Sequence, residues 1–267
     1  MNLVLGAAQR LNLGHLKPFC FSLLRAGFEG MTALFVSDID EQTRYALTVM
    51  GVHLIEPEAG AALDQAGINS SRYLVYRRFL ESLGDSVTNV MLTDVRDVLF
   101  QRDPFDFARD DALCCFLEDP SVTLKSCPHN AIWFLNAYGS EALTELGDHR
   151  VSCSGTTIGP AWRIREYTAR ITGELLAMSR RKPGITQALA GVDQAAHNYL
   201  IRTGQLEGVR LFENGSGPVL TLGHVEPEAI RFTEDGYVAD AAGGAVNVLH
   251  QYDRHPELAR RLVDRFG

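Results

Sequence analysis

Asp94 and Asp97 stand in the stretch Thr93-Asp94-Val95-Arg96-Asp97-Val98-Leu99-Phe100, directly after the apolar run Asn89-Val90-Met91-Leu92. A strand that ends in paired acids sets hard oxygen ligands at a sheet edge, where a divalent cation and a phosphorylated substrate can meet. The competing reading is a solvated loop that carries two acids by chance. Residues three apart on a strand point to opposite faces, so the two carboxylates converge only if the chain turns or bulges after Asp94. Asp97 is therefore the expected direct metal ligand, and Asp94 joins it, reaches the metal through water, or binds a ribose. Arg96 between them is placed to neutralise a diphosphate or to anchor an acid.

Further residues can work with this pair. The stretch Ser70 to Leu80 concentrates cations and aromatics on one helix, where Arg72, Tyr76 and Arg78 can stack on a base or pair with a substrate. Asp193-Gln194 puts an acid and an amide at the start of another helix, and His250 falls at the end of a strand, where a neutral imidazole can complete a metal site. Ser154 and Gly155 can line a ligand pocket from a Gly-rich loop, although a plain turn fits the same residues. Structural readings compete for each: Asp193 as a helix cap, His250 as a hydrogen-bonded core residue, Tyr73 and Tyr76 as packing, His224 and His255 as surface or capping residues.

Several chemistries find little support. Asp38-Ile39-Asp40 suggests a phosphatase of the haloacid dehalogenase type, but Gln42 stands where that motif wants Thr or Val, and Asp40 is better read as a helix cap. Gly6 and Gly14 do not form a dinucleotide fingerprint, and there is no P-loop. Ser152-Cys153-Ser154-Gly155 is not a nucleophile elbow.

The elements that must position these residues alternate. Apolar strand patterns at Leu3 to Ala7, Thr32 to Val36 and Val52 to Ile55 are separated by helical patterns at Pro18 to Ala26 and Glu41 to Met50. A helix capped by Ser70 or Ser71 runs to Leu83 and leads into the strand before Asp94. This series predicts an α/β fold with a mostly parallel central sheet flanked by helices and ligands at the carboxyl ends of the strands. The second half reads as strands at Cys114 to Leu117, Ala131 to Leu135, Val219 to Leu222 and Val246 to Leu249. Its helices are Arg163 to Ser179, Val192 to Thr203 and one from Pro256. One domain over residues 1–267 is expected, with a ligand-binding half at 1–110 and an elaborated half at 111–267.

Composition agrees. At 267 residues and 46% hydrophobic, the chain can bury a large core, and a formal charge of −8 with no basic block argues against nucleic acid as a partner. Five scattered cysteines without metal-type spacing suit reduced thiols and a cytoplasmic protein. The first residues lack the pattern of a signal peptide, and no stretch approaches roughly 18 uninterrupted apolar residues, so no integral membrane segment is expected.

In this order and spacing the residues resemble the nucleotide-sugar-dependent glycosyltransferases of GT-A fold, in particular the glycogenin and lipopolysaccharide galactosyltransferase type. The resemblance runs from the first strand to His250. Tyr76-Arg77-Arg78 matches the family's Tyr-x-Arg helix, Asp94 to Asp97 its Asp-x-Asp strand end, Asp193-Gln194 its Asp-Gln pair beside the donor sugar, and His250 its late metal-binding His. The acids stand three apart here, where the family has two. The resemblance implies a single GT-A-like domain that moves a sugar from a nucleoside diphosphate, with a UDP-sugar favoured, to a carbohydrate or other hydroxyl acceptor with retention. It implies Asp97, His250 and Asp94 as metal ligands, and Ala7, Arg72, Tyr76, Arg78, Thr93, Asp94, Val95, Arg96, Ser154 and Gly155 as donor-binding residues. Asp193 and Gln194 are then the catalytic pair, Asp193 accepting hydrogen bonds from donor-sugar hydroxyls and Gln194 lying near the anomeric carbon. Mixed carboxylate and imidazole ligands favour manganese, with magnesium second. Two alternatives share these residues, a metal-dependent nucleotide-sugar phosphohydrolase and a non-catalytic nucleotide-sugar-binding protein. The segments Pro120 to His129 and Arg181 to Thr186 are the candidate acceptor loops.

Overall fold

The computed structural model describes residues 1–56, 67–108, 110–188 and 190–266. Its first half follows the alternation read from the sequence: β1 (Asn2–Gln9), α1 (Leu13–Arg25), β2 (Met31–Ser37), α2 (Glu41–Val49), β3 (His53–Ile55), α3 (Ile68–Leu83) and β4 (Asn89–Thr93). Strand β1 pairs in parallel with β2 on one side and β4 on the other. The chain therefore moves outward from β1 to β3 and returns to β4 across the starting strand. That reversal creates a crevice at the carboxyl ends of β1 and β4, the place where open α/β sheets bind ligands.

The second half comprises β5 (Val98–Phe100), β6 (Leu113–Leu117), α4 (Pro128–Leu146), β7 (Ser152–Pro160), α5 (Ala161–Arg181), α6 (Ile185–Ala188), α7 (Val192–Arg202), β8 (Val209–Phe212), β9 (Val219–Thr221), β10 (Val248–His250) and α8 (Pro256–Phe266). The main sheet is mixed and mostly parallel, in the order β3-β2-β1-β4-β7-β6-β8, with β7 antiparallel to both neighbours. A smaller sheet, β5-β10-β9, carries His250 to its place. One apolar core joins the main sheet to α3, α4, α5 and α7, a second joins it to α1 and α2, and a third lies between the small sheet and α8. No helix among the described residues is long and apolar enough to cross a membrane.

Four local expectations are corrected. Ala131 to Leu135 is not a strand but part of α4, because Pro128 at the helix start and the length of the segment outweigh a short apolar run. Residues 154 and 155 lie in strand β7, not in a Gly-rich loop. Helix α3 begins at Ile68 behind Gly67, which leaves Ser70 buried inside its first turn and no serine cap. Helix α1 begins before Pro18, since Asn12 caps it: the Asn12 side chain accepts from the His15 amide at 3.2 Å, and the Asn12 amide donates to the His15 ring at 3.3 Å. The cap assigned to Asp40 is present, its carboxylate accepting from the Thr43 amide at 2.7 Å.

Candidate functional site

The chain turns immediately after β4, and two backbone bonds fix that turn. The Asp94 amide donates to the Gly155 carbonyl on β7 at 2.8 Å, and the Gln251 amide after β10 donates to the Asp97 carbonyl at 2.7 Å. The turn overcomes the alternation of strand side chains and brings both carboxylates to one side. His250, fully buried at the end of β10, completes the group: its Nε2 lies 3.5 Å from Asp94 Oδ2 and 3.8 Å from Asp97 Oδ1.

These three residues fit a divalent cation. One donor atom from each lies within 4.8 Å of the others. Donors bound to one ion at about 2.1 Å stand about 3 Å apart when adjacent and about 4.2 Å when opposite. His250 Nε2 has no hydrogen-bond partner, whereas Nδ1 lies 3.5 Å from Cys153 Sγ. An orphaned imidazole nitrogen aimed at two carboxylates is the arrangement a metal satisfies, with the thiol orienting the ring from behind. The electrostatics agree. Burial disfavours charge on His250, yet Cys153, Asp94 and Asp97 lift its pKa well above the ordinary imidazole value, so the cluster is built to hold positive charge. Burial also pushes the Asp97 carboxyl up, against the pull of His250.

Arg72 organises the second part of the site. Its guanidinium, buried on α3, pairs with Asp94 through Nη1 and with Asp193 Oδ2 through Nη2 at 2.8 Å. Burial would raise Asp94, but Arg72 and His250 outweigh it and hold this carboxyl well below the usual range. Asp193 is more deeply buried, and desolvation prevails there over Arg72, raising its pKa to about 6. Asp193 does not cap α7: Gly191 holds that position, and no side chain bonds there.

A cleft of about 700 Å³ opens over these groups and is lined by Ala7, Arg72, Asp94, Val95, Arg96, Asp97, Ser154, Gly155, Asp193 and Gln194. Of the expected residues, Thr93, Tyr76, Arg78 and the fully buried His250 are not among the described residues that line it. Thr93 is buried and donates its hydroxyl to the Asp94 carbonyl at 2.9 Å, which steadies the turn. Tyr76 lies one turn beyond Arg72 in the apolar core, its ring edge-on to Tyr73. Arg78 is exposed, six residues from Arg72 and roughly two-thirds of a turn around the helix. Gln194 lines the cleft, but both ends of its amide are engaged: Oε1 accepts from the Ser154 amide at 2.7 Å, and Nε2 donates to the Ser152 carbonyl at 2.9 Å.

Other lining residues were not anticipated. Glu118 follows β6 and is 5% exposed; burial pushes its pKa up. An acid after the predicted strand Cys114 to Leu117 is the same signal that singled out Asp94, and it was there to be read. His224, expected at the surface, lines the cleft with Nε2 3.7 Å from Glu118 Oε2. Arg254 lies 3.5 Å from Asp97 Oδ2, and Arg96 pairs with Asp253 at 3.1 Å. Both arginines are about half exposed, so these pairs are weak and either guanidinium can turn to an anionic ligand. No protein-family model and no curated protein matches the chain.

Gly155 lies directly against the metal ligands. A Cβ there would lie 2.5 Å from Asp94 Oδ2, 2.6 Å from His250 Cε1 and 2.9 Å from His250 Nε2. Gly155→Ala is expected to separate the ligands, weakening manganese binding by more than about tenfold and lowering stability by about 1–3 kcal/mol. Calorimetric titration with manganese checks the first effect and urea denaturation the second. Unchanged metal affinity would remove Gly155 from the centre.

Proposed function

We propose that this chain is a metal-dependent glycosyltransferase that moves a sugar from a nucleoside-diphosphate sugar, preferentially a UDP-sugar, to a hydroxyl acceptor with retention of configuration. The observation that carries this reading is the pairing of two sites through one arginine. Arg72 joins Asp94, part of a carboxylate–imidazole cluster that fits a divalent cation, to Asp193 in the same cleft. That cleft lies at the switch point of the sheet, the place an α/β fold offers a nucleotide.

Asp94, Asp97 and His250 hold the cation, for which manganese suits the mixed oxygen and imidazole donors. When bound, it offsets the charge that develops on the departing diphosphate. Arg96 and Arg254, weakly paired at the exposed side of Asp97, turn to the phosphates. Asp193, fixed by Arg72, accepts hydrogen bonds from donor-sugar hydroxyls. Gln194 is a poor nucleophile, and its amide is occupied by the backbone of β7. Its part is to hold that wall against the sugar, which leaves a front-face displacement guided by the leaving phosphate as the route to retention. The five cysteines are buried and none is in a disulfide, which favours a cytoplasmic protein.

The test is a thermal-stability screen of nucleoside diphosphates and nucleotide sugars with manganese, followed by donor turnover with and without acceptor saccharides. A ligand that binds only the folded chain must raise its melting temperature. The expected result is stabilisation by a uridine nucleotide only in the presence of metal, and donor consumption accelerated by acceptor. Absence of any nucleotide response at saturation removes the transferase reading, and turnover indifferent to acceptors makes the chain a hydrolase.

A further inference from the structure

The main sheet presents its site residues in order. Along β1, β4, β7 and β6, the same edge carries Ala7, Asp94, Gly155 with Cys153, and Glu118. If the nucleotide occupies the β1 side of the metal centre, the β6 side is left for another molecule. Its lining differs in kind. Trp133 is half-buried, and the place where a Cβ of Gly191 would stand is 2.1 Å from the indole Cδ2, so the indole packs closely on the backbone just before α7. The His129 ring stands 5.8 Å away, tilted by 32°. The same cleft is lined by the buried Glu118 carboxylate and its neighbour His224.

We infer that the Trp133–Glu118–His224 end of the cleft is the acceptor subsite, and that it takes a neutral glycoside. This inference rests on the transferase reading for the word acceptor, but its binding chemistry does not depend on it. An indole backed by main chain offers an apolar platform for the C–H face of a pyranose, and a few polar groups around it set orientation. Glu118 accepts hydrogen bonds from ring hydroxyls, and a buried carboxylate gives such bonds more strength than a neutral acceptor. Charge excludes the other candidates. The three arginines among the described lining residues, Arg72, Arg96 and Arg254, all pair with acids of the metal side. Arg150 donates to the Glu118 carbonyl at 2.8 Å but does not line the cleft, so a phosphorylated acceptor would meet the Glu118 carboxylate with no further arginine or lysine among the described lining residues. The earlier candidate loops contribute only the end of the first, through Cys127 and His129, and Arg181 to Thr186 does not line the cleft among the described residues.

The chain has two tryptophans, and Trp162 lies in a separate cleft beside Arg163. Trp162→Phe therefore makes Trp133 the sole reporter of this subsite. Its emission is to be titrated with methyl glucosides, methyl galactosides, maltose and lactose, and with glucose 6-phosphate as the anionic control. The expected result is a saturable change with at least one neutral saccharide in the millimolar range and a weaker response to the phosphate ester. Glu118→Gln in the same background should weaken that binding about 10- to 100-fold. No response to any neutral saccharide, or preference for the phosphate ester, overturns the subsite. If nucleotide and metal still stabilise the protein, the transferase reading survives that failure. Saccharide binding without any nucleotide response has the opposite meaning, since the subsite then stands and the transferase reading falls.

Discussion

Asp97→Ala and His250→Ala are each expected to abolish manganese-dependent nucleotide binding while leaving the fold intact. Both residues are nearly inaccessible, yet neither holds the architecture together. Asp97 is joined to the rest of the chain through its backbone carbonyl, which either variant retains, and His250 contributes one contact to Cys153 and one orphaned nitrogen. What they share is the point where their donors converge with that of Asp94. Partners behind a metal ligand are typically worth 10- to 100-fold in affinity, so loss of a ligand itself should exceed about 100-fold. A ligand at 100 times its dissociation constant stabilises by about 2.7 kcal/mol, which for a chain of this size raises the melting temperature by about 5–10 °C. A 100-fold loss reduces that to about 0.4 kcal/mol, or about 1 °C. Differential scanning fluorimetry of wild type and both variants, with manganese and uridine diphosphate together and separately, reads this directly. A full metal-dependent shift retained in both variants would move the metal to another site. The affinity should also fall in acid, because a proton drawn to His250 by Cys153, Asp94 and Asp97 must leave before a metal can bind.

What the chain disclosed about this site, and what it withheld, follows from how far each signal reaches along the sequence. The acids after β4, the acid after β6 and the imidazole after β10 are all local, since each ends an apolar run. Convergence of Asp94 and Asp97 was legible as a condition, a turn after the strand, but the backbone bonds to Gly155 and Gln251 that impose it come from segments far away. Strand β7 is the clearest case of a hidden element. Ser152 to Pro160 is rich in small polar residues, and Ser154 and Gly155 read as part of a Gly-rich loop, yet all nine residues are buried in the sheet. Helix α7 makes that possible. Asn198 bonds both backbone groups of Ser152 at 2.9 Å, Gln194 takes the Ser154 amide, and the His197 Nε2 lies 2.9 Å from the Ser152 hydroxyl. Burial holds that imidazole neutral, with its pKa down at about 3, and Tyr167 lies 2.7 Å from its other nitrogen. The run Asp193-Gln194 with His197-Asn198 thus has two tasks, one face toward the cleft and the other satisfying β7. Trp133 was lost for a simpler reason. Reading Ala131 to Leu135 as a strand hid the helical spacing that puts Asn130 and Trp133 on the same side, facing the cleft.

Arg72→Met should be the most destabilising single substitution in the site. Arg72 is 6% exposed and separates two carboxylates that would otherwise face each other's charge in a desolvated place. Removing one partner of a buried pair costs about 3–5 kcal/mol, because the uncompensated charge remains behind, and for this chain that lowers the melting temperature by about 10 °C. Lysine should not rescue it, since one ammonium cannot present two separate donors in the geometry of the guanidinium fork. The pH dependence separates this electrostatic account from a packing defect. In the wild type, the depressed Asp94 contributes stability that is present above its unfolded pKa and lost only as pH falls through the folded value. Asp193, raised to about 6, acts in the opposite sense: its contribution is present below the unfolded value of about 3.9 and is lost as pH rises through 6. Without Arg72 both carboxyls lose their cation, both pKa values rise, and both favour the protonated folded state. The deficit of Arg72→Met relative to wild type should therefore be largest near neutral pH and shrink toward pH 5. Urea denaturation of the two proteins in the presence of a chelator, at pH values on either side of 6, measures it. A deficit of the same size at both ends of that range would show that Arg72 fills space and does not balance Asp94 and Asp193.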